Sequence, residues 1–178
     1  MMRKLLSALI LAGIAWAGQV AFAADGTITF AGAVSSDTCT VNGGVAGSSF
    51  TVVLPPIASA SLAAVSASAG RTPFDIVLSA CSTPSGAVHT FFEAGLSTDS
   101  ETGHLKNTGG AGTGVQIRLL NGDETRINAG FTDASQNSRS ARLVSNAATL
   151  SYFAEYVRVA DIVPGTVASS VVYSIVYE

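Results

Sequence analysis

The sequence predicts an all-β protein folded as a β-sandwich, and three observations carry that prediction. The composition is rich in Gly, Ser, Thr, Ala and Val and poor in Lys, Glu and Leu at helical spacing, which suits short strands joined by tight turns. Apolar and polar residues alternate with period 2 in run after run, the spacing of a strand with one face buried. Turn-forming pairs, Gly43-Gly44, Pro55-Pro56, Asn121-Gly122 and Pro164-Gly165, separate those runs, and no long helical pattern interrupts them.

Residues 1–23 read as a signal peptide. Arg3 and Lys4 provide a basic start, Leu5 to Trp16 an apolar stretch, and Ala21-Phe22-Ala23 a small-x-small cleavage site. The apolar stretch is shorter than the roughly 20 residues a bilayer span requires. Removing 23 of 178 residues leaves 155, enough for one domain with a proper core and too few for two. Cleavage also removes two cations, so seven Lys and Arg face twelve Asp and Glu, a net charge of −5. That balance argues against a nucleic-acid partner.

The mature chain opens on a segment, 24–36, whose centre Thr27-Ile28-Thr29-Phe30-Ala31-Gly32-Ala33-Val34 alternates cleanly and carries no charge. Ile28, Phe30, Gly32 and Val34 share one face, which can lie in an apolar groove without stranding an ion. Extended chain continues from Ala33 to Val41 until Gly43-Gly44 breaks it. Phe50 to Leu54 is expected as a short strand ended by Pro55-Pro56, and Ala58 to Ala69 as a helical turn or loop. Thr72 to Cys81 resumes the alternation, with Phe74, Ile76 and Leu78 on one face. Val88 to Phe92 is the next expected strand, followed by loop from Ser97 to Gly114. Val115 to Leu120 and Thr125 to Asn128 form an expected hairpin across Asn121-Gly122, since that pair tolerates positive φ. After a polar loop from Ala129 to Ala141, Thr149 to Val159 and Thr166 to Tyr177 are expected as long closing strands. In the last of these Val171, Tyr173, Ile175 and Tyr177 form an apolar face, and a long apolar strand at a sheet margin needs a cover.

Two cysteines, Cys39 and Cys81, in an exported chain predict one disulfide. Catalytic chemistry finds no foothold. His89 and His104 are the only histidines, too few for a zinc or copper site, and are expected in loops or at the surface. No Gly-x-Ser-x-Gly elbow occurs. Gly109-Gly110-Ala111-Gly112-Thr113-Gly114 precedes a strand and opens no helix, so it reads as a flexible loop and not as a dinucleotide fingerprint. Asp123-Glu124, beside a turn, read as solvated. The expectation is a non-enzyme with no cofactor, no metal and no small-molecule substrate.

Taken together these features resemble the subunits of chaperone-usher fimbriae, the type 1 pilin (major fimbrial subunit) family, over the whole mature chain. The resemblance rests on Ile28-x-Phe30-x-Gly32-x-Val34, on Cys39 with Phe74-Asp75-Ile76-Val77-Leu78-Ser79-Ala80-Cys81, and on Gly114-Val115-Gln116-Ile117-Arg118-Leu119-Leu120. It rests further on Tyr152-Phe153-Ala154-Glu155-Tyr156, on Gly165, fourteenth from the last residue, and on the penultimate Tyr177. The order of these motifs is more specific than any one of them.

That resemblance implies an immunoglobulin-like sandwich over residues 37–178 that lacks its final strand. It implies donor-strand complementation, a mode in which an added strand completes an open sheet. A periplasmic chaperone lends the strand first, and at an outer-membrane usher the donor segment of another copy or a related subunit replaces it. Gly165, Val171, Tyr173, Ile175 and Tyr177 are then the groove edge, and the product is an extracellular fimbrium supporting cell adhesion. The alternative is a self-contained secreted binding module in which residues 27–34 fold back as the chain's own last strand.

Overall fold

The computed structural model describes residues 38–44 and 48–178. Two antiparallel sheets face each other. The first runs in the order β1 (Thr40–Val41), β2 (Ser68–Ser79), β7 (Ala148–Val163), β5 (Thr113–Asn121), β4 (Leu105–Lys106). The second runs β6 (Ala141–Val144), β3 (Ser85–Phe92), β8 (Tyr173–Tyr177). This is an all-β immunoglobulin-like sandwich with its final strand missing: β8 has β3 on one side and no strand on the other among the described residues.

Alternation builds the core. On β2, Ile76 and Leu78 point inward and are essentially fully buried while Asp75 and Val77 face out. On β5, Val115, Ile117 and Leu119 do the same, and β7 contributes Leu150, Tyr152 and Ala154. Pairings Ile76↔Leu150, Phe74↔Tyr152 and Leu119↔Ala154 fix the register of three neighbouring strands; a one-residue slip would turn every one of these side chains to water. The opposite sheet closes the core with Val88 and Phe92 of β3 and Leu143 of β6. The Phe92–Tyr152 ring contact, 5.6 Å between centroids, links the two layers, and Tyr152 also meets Phe74 of its own sheet at 5.5 Å. Cys39, just before β1, and Cys81, just after β2, are joined by a disulfide with an S–S length of 2.03 Å.

Several expected elements differ. Phe50 to Leu54 has no ladder and is not a strand. Its main chain finds no strand partner among the described residues, and Pro55-Pro56 offer no amide to continue one. The Ala/Ser-rich stretch resolves into a 3-10 turn at Ser59–Leu62, anchored by buried Leu62, followed by the first residues of β2. Thr125 to Asn128 is not a strand either. It is tied to β5 by an isolated bridge, Leu120↔Arg126, and by Ile127 N–H donating to Leu119 O at 3.0 Å. The connecting turn places its positive φ at Glu124 (65°) instead of at Asn121-Gly122. The reason lies in Asn121, whose fully buried amide donates to Thr125 and Asn137 and accepts from Arg139 N–H.

Within the loop expected from Ser97 to Gly114, β4 forms a two-residue ladder. A one-turn helix, α1 (Asp133–Gln136), interrupts the polar connection before β6; its buried Gln136 amide bridges Phe92 N and O. The last strand extends only over Tyr173–Tyr177, five residues, because the stretch before it bonds to a loop and not to a strand.

The two histidines overturn the surface expectation, as both are buried. His89 lies on β3 between Asp133 Oδ1 and Glu178 Oε1, each 2.8 Å from a ring nitrogen. His104 packs beside Gln116, and burial, reinforced by Arg126, pushes its pKa below the ordinary value.

Candidate functional site

The margin of β8 opens onto an apolar groove. Register with β3 pairs Val176 with His89 and Ser174 with Phe91, and Glu93 N–H donates to Val172 O at 2.8 Å. Backbone polar groups alternate sides along a strand, so those of Tyr173, Ile175 and Tyr177 face the margin. Their side chains turn toward the core and pack against it while Ser174 and Val172 face water.

Beside this margin lies a cavity of about 520 Å³. Its floor is the interior itself, Phe74 and Ile76 of β2, Ile117 and Leu119 of β5, Ala154 of β7. One rim is 169–173, leading into and including the first residue of β8, and the other is 49–54. A second cavity of about 410 Å³ continues past Leu54 toward Leu62, Val115, Tyr156 and Val167, and ends at Pro164-Gly165. A floor made of core side chains is what an incomplete sandwich exposes.

The predicted edge residues differ in where they lie: Gly165 lines the second cavity, Val171 and Tyr173 line the first, and Ile175 and Tyr177 line neither. Gly165 sits where backbone meets backbone: a Cβ there would lie 2.4 Å from Gly112 N, so any larger residue would push the two chains apart. Val171 lines the first cavity. Tyr173 packs edge-on to Phe50 at 6.0 Å and donates its hydroxyl to Ser48 O at 2.7 Å, crossing between the rims. Burial pushes its phenol above the ordinary tyrosine value. Ile175 pairs with Thr90 and Tyr177 with Val88 in the ladder to β3. The predicted donor residues Ile28, Phe30, Gly32 and Val34 lie outside the described residues.

Sequence reasoning missed the second rim. Phe50, Val52 and Leu54 alternate as expected of a strand, but their role is to wall the groove, with Phe50 against Phe74 at 6.1 Å. An alternating run stopped by two prolines was the available signal. Among the described residues no cluster of three or more His, Cys, Asp or Glu is placed to hold a metal ion.

Comparison with known proteins agrees with this geometry. The family model described as FimA, type-1 fimbrial protein A, matches residues 54–178. The chain is 42% identical over 170 residues to the major fimbrial subunit SMF-1 of Stenotrophomonas maltophilia (strain K279a), covering 92% of this chain and 99% of that protein. It is 39% identical over 160 residues to the F17 fimbrial protein of Escherichia coli, covering 86% and 88%. The crystal structure of the P pilus rod subunit PapA superposes with a TM-score of 0.59 at 15% identity, over 79% of this chain and 99% of that one; at that identity the likeness is one of fold.

Proposed function

The chain belongs to the type-1 fimbrial protein family of chaperone-usher subunits, and from that premise we propose that it polymerises by donor-strand exchange. It is a non-enzymatic fimbrial subunit of the cell surface. In the proposed mechanism residues 1–23 direct export and are removed, and residues 24–36 become the donor. The domain from 37 onward is the acceptor. A periplasmic chaperone covers the groove until an outer-membrane usher hands it to the donor of the next subunit.

The observation that carries this reading is the groove itself: core side chains form its floor, and the edge of β8 borders it with no strand beyond among the described residues. The donor's apolar face matches such a floor. Burying Ile28, Phe30 and Val34 contributes on the order of 1.5 to 3 kcal/mol each, and strand pairing adds roughly 1 kcal/mol per main-chain hydrogen bond. Together these make dissociation very slow. Gly32 marks where backbone can pass close to backbone. The name of one relative, major fimbrial subunit SMF-1, favours a place in the shaft.

Two measurements test the proposal. Mature protomer, isolated alone, is expected to be unstable and to recover on adding a peptide copying residues 24–36; a monomer that melts reversibly with its own leading residues folded in would instead establish the self-contained module. Gly32→Leu is expected to abolish polymer while leaving the subunit folded, and normal polymer yield from that variant would refute the groove mechanism.

A further inference from the structure

The edge that borders the groove is longer than β8, and one side chain makes it so. Before Tyr173 the chain keeps strict alternation: Val167, Ser169 and Val171 are half-buried, whereas Thr166, Ala168, Ser170 and Val172 are exposed. Among the described residues no strand pairs with this stretch. Its backbone is held by the glycine-rich loop instead, with Gly112 N–H donating to Thr166 O at 2.9 Å and Thr108 N–H to Ala168 O at 2.9 Å. Ser97 Oγ donates to Ser170 O. The even-numbered residues thus face the loop as Val172, Ser174 and Val176 face β3.

Asn107 is the hub of this arrangement. Its Nδ2 donates to Gly112 O at 2.6 Å, Thr166 O at 3.2 Å and Gly110 O at 3.3 Å, and its Oδ1 accepts from Ala168 N–H at 2.9 Å. One amide therefore ties the loop to itself and to the lead-in of β8. The loop can lie this close because it lacks side chains; a Cβ on Gly110 would fall 1.9 Å from Thr166 O. The expected flexible loop is in fact pinned as a substitute for the missing length of β3.

We infer that Asn107 is a positioning residue for assembly: by straightening 166–170 it extends the accepting edge back to Val167, so that residues 27–34 of a second copy pair along 167–177 and not along β8 alone. This rests on the donor-strand reading. At about 3.3 Å per residue, β8 offers pairing to about five residues, fewer than the eight alternating residues of the donor, whereas 167–177 spans all of them. The odd-numbered residues 167, 169 and 171 continue the backbone side that 173, 175 and 177 present. Ser169 Oγ, buried against the groove and without a hydrogen-bond partner among the described residues, lies on this added length.

Segment-resolved hydrogen exchange on fibres assembled from the mature chain tests the inference. In wild-type fibres the amides of Val167, Ser169 and Val171 are expected to be protected to a degree comparable with those of 173–177. Asn107→Asp keeps the size but replaces the donating amide with an acceptor facing three carbonyls, and is expected to speed exchange at 167–171 at least tenfold. Exchange at 173–177 and in β2 and β7 should stay unchanged. Gly110→Ala, which breaks the same contact from the loop side, should reproduce the pattern. Wild-type fibres that exchange freely at 167–171 while protecting 173–177 would overturn the role of Asn107, as would an Asp variant whose exchange rises uniformly. Those results leave donor exchange standing; failure of the wild-type chain to form fibres at all overturns the donor reading and this inference with it.

Discussion

Strands β7 and β8 look alike as sequence, both alternating and both apolar on one face, yet one is the middle strand of its sheet and the other the open margin of the facing one. β7 pairs with β2 on one side and β5 on the other over most of its sixteen residues. Among the described residues β8 pairs with β3 alone. The difference shows that alternation specifies a strand and a buried face, but not how many neighbours the strand has. Stability rests on the closed side, and the assembly proposed above uses the open one.

The outer face of the closed side makes the point with charge. Glu155 on β7 is almost fully buried, between Arg118 of β5 and Arg71 of β2, which also reaches Glu124 at 2.7 Å. Burial opposes ionisation of Glu155, but hydrogen bonds from Arg118 and then Arg71 outweigh it and hold the carboxyl below the ordinary glutamate value. Three adjacent strands are thereby fixed by one ionised group. Across the margin of β8 the rims are linked by the Tyr173 hydroxyl and by the contact of its ring with Phe50.

The largest expected effect breaks the open side outright. Deleting Val171 to Glu178 removes the margin, and no stable exported subunit should be recovered by immunoblot of the secreted fraction; intact secreted protein would show that β8 is dispensable. Next comes the closed side. Glu155→Ala leaves two guanidiniums without their buried partner and should cost about 3 kcal/mol in denaturant unfolding, with donor-peptide exchange rates unaltered. A change in exchange without a change in stability would erase the distinction between the two sides.

The smallest effect sharpens the comparison through pH. The Gln116 amide holds the Asp99 carboxyl at about 2, assisted, against the cost of burial, by Thr102 and Glu101 N–H. A depressed carboxyl stabilises the fold at pH above the unfolded value of about 3.8 and loses that contribution as pH falls toward 2. Glu155 acts in the same direction. Asp99→Asn should therefore flatten the decline in stability between pH 4 and 2 by about 1 kcal/mol after solvent screening, and an unchanged slope would show that Asp99 does not contribute.

Much of this was legible in residue order. Phe74, Ile76 and Leu78 announced β2, Val115 to Leu120 announced β5, and both fell on the expected face because side-chain direction in a strand follows from position alone. The turn at Asn121-Gly122 was legible as a reversal but not in its geometry, since the Asn121 side chain is consumed by partners at Thr125, Asn137 and Arg139 that only the fold brings near. His89 was misread for the same reason. Its carboxylate partners stand 44 and 89 residues away in the chain, so no local pattern could reveal that it is buried and satisfied.

By itself, then, the sequence determined an all-β chain, its alternating faces and the family its motifs resemble, because periodicity and turn chemistry are local properties. That 49–54 walls the groove instead of forming a strand, and that Asn107 props the lead-in of β8, were decided only in three dimensions. Hydrogen-bond partners and core floors come from residues far apart in the chain, and their meeting is a property of packing that no window of sequence contains.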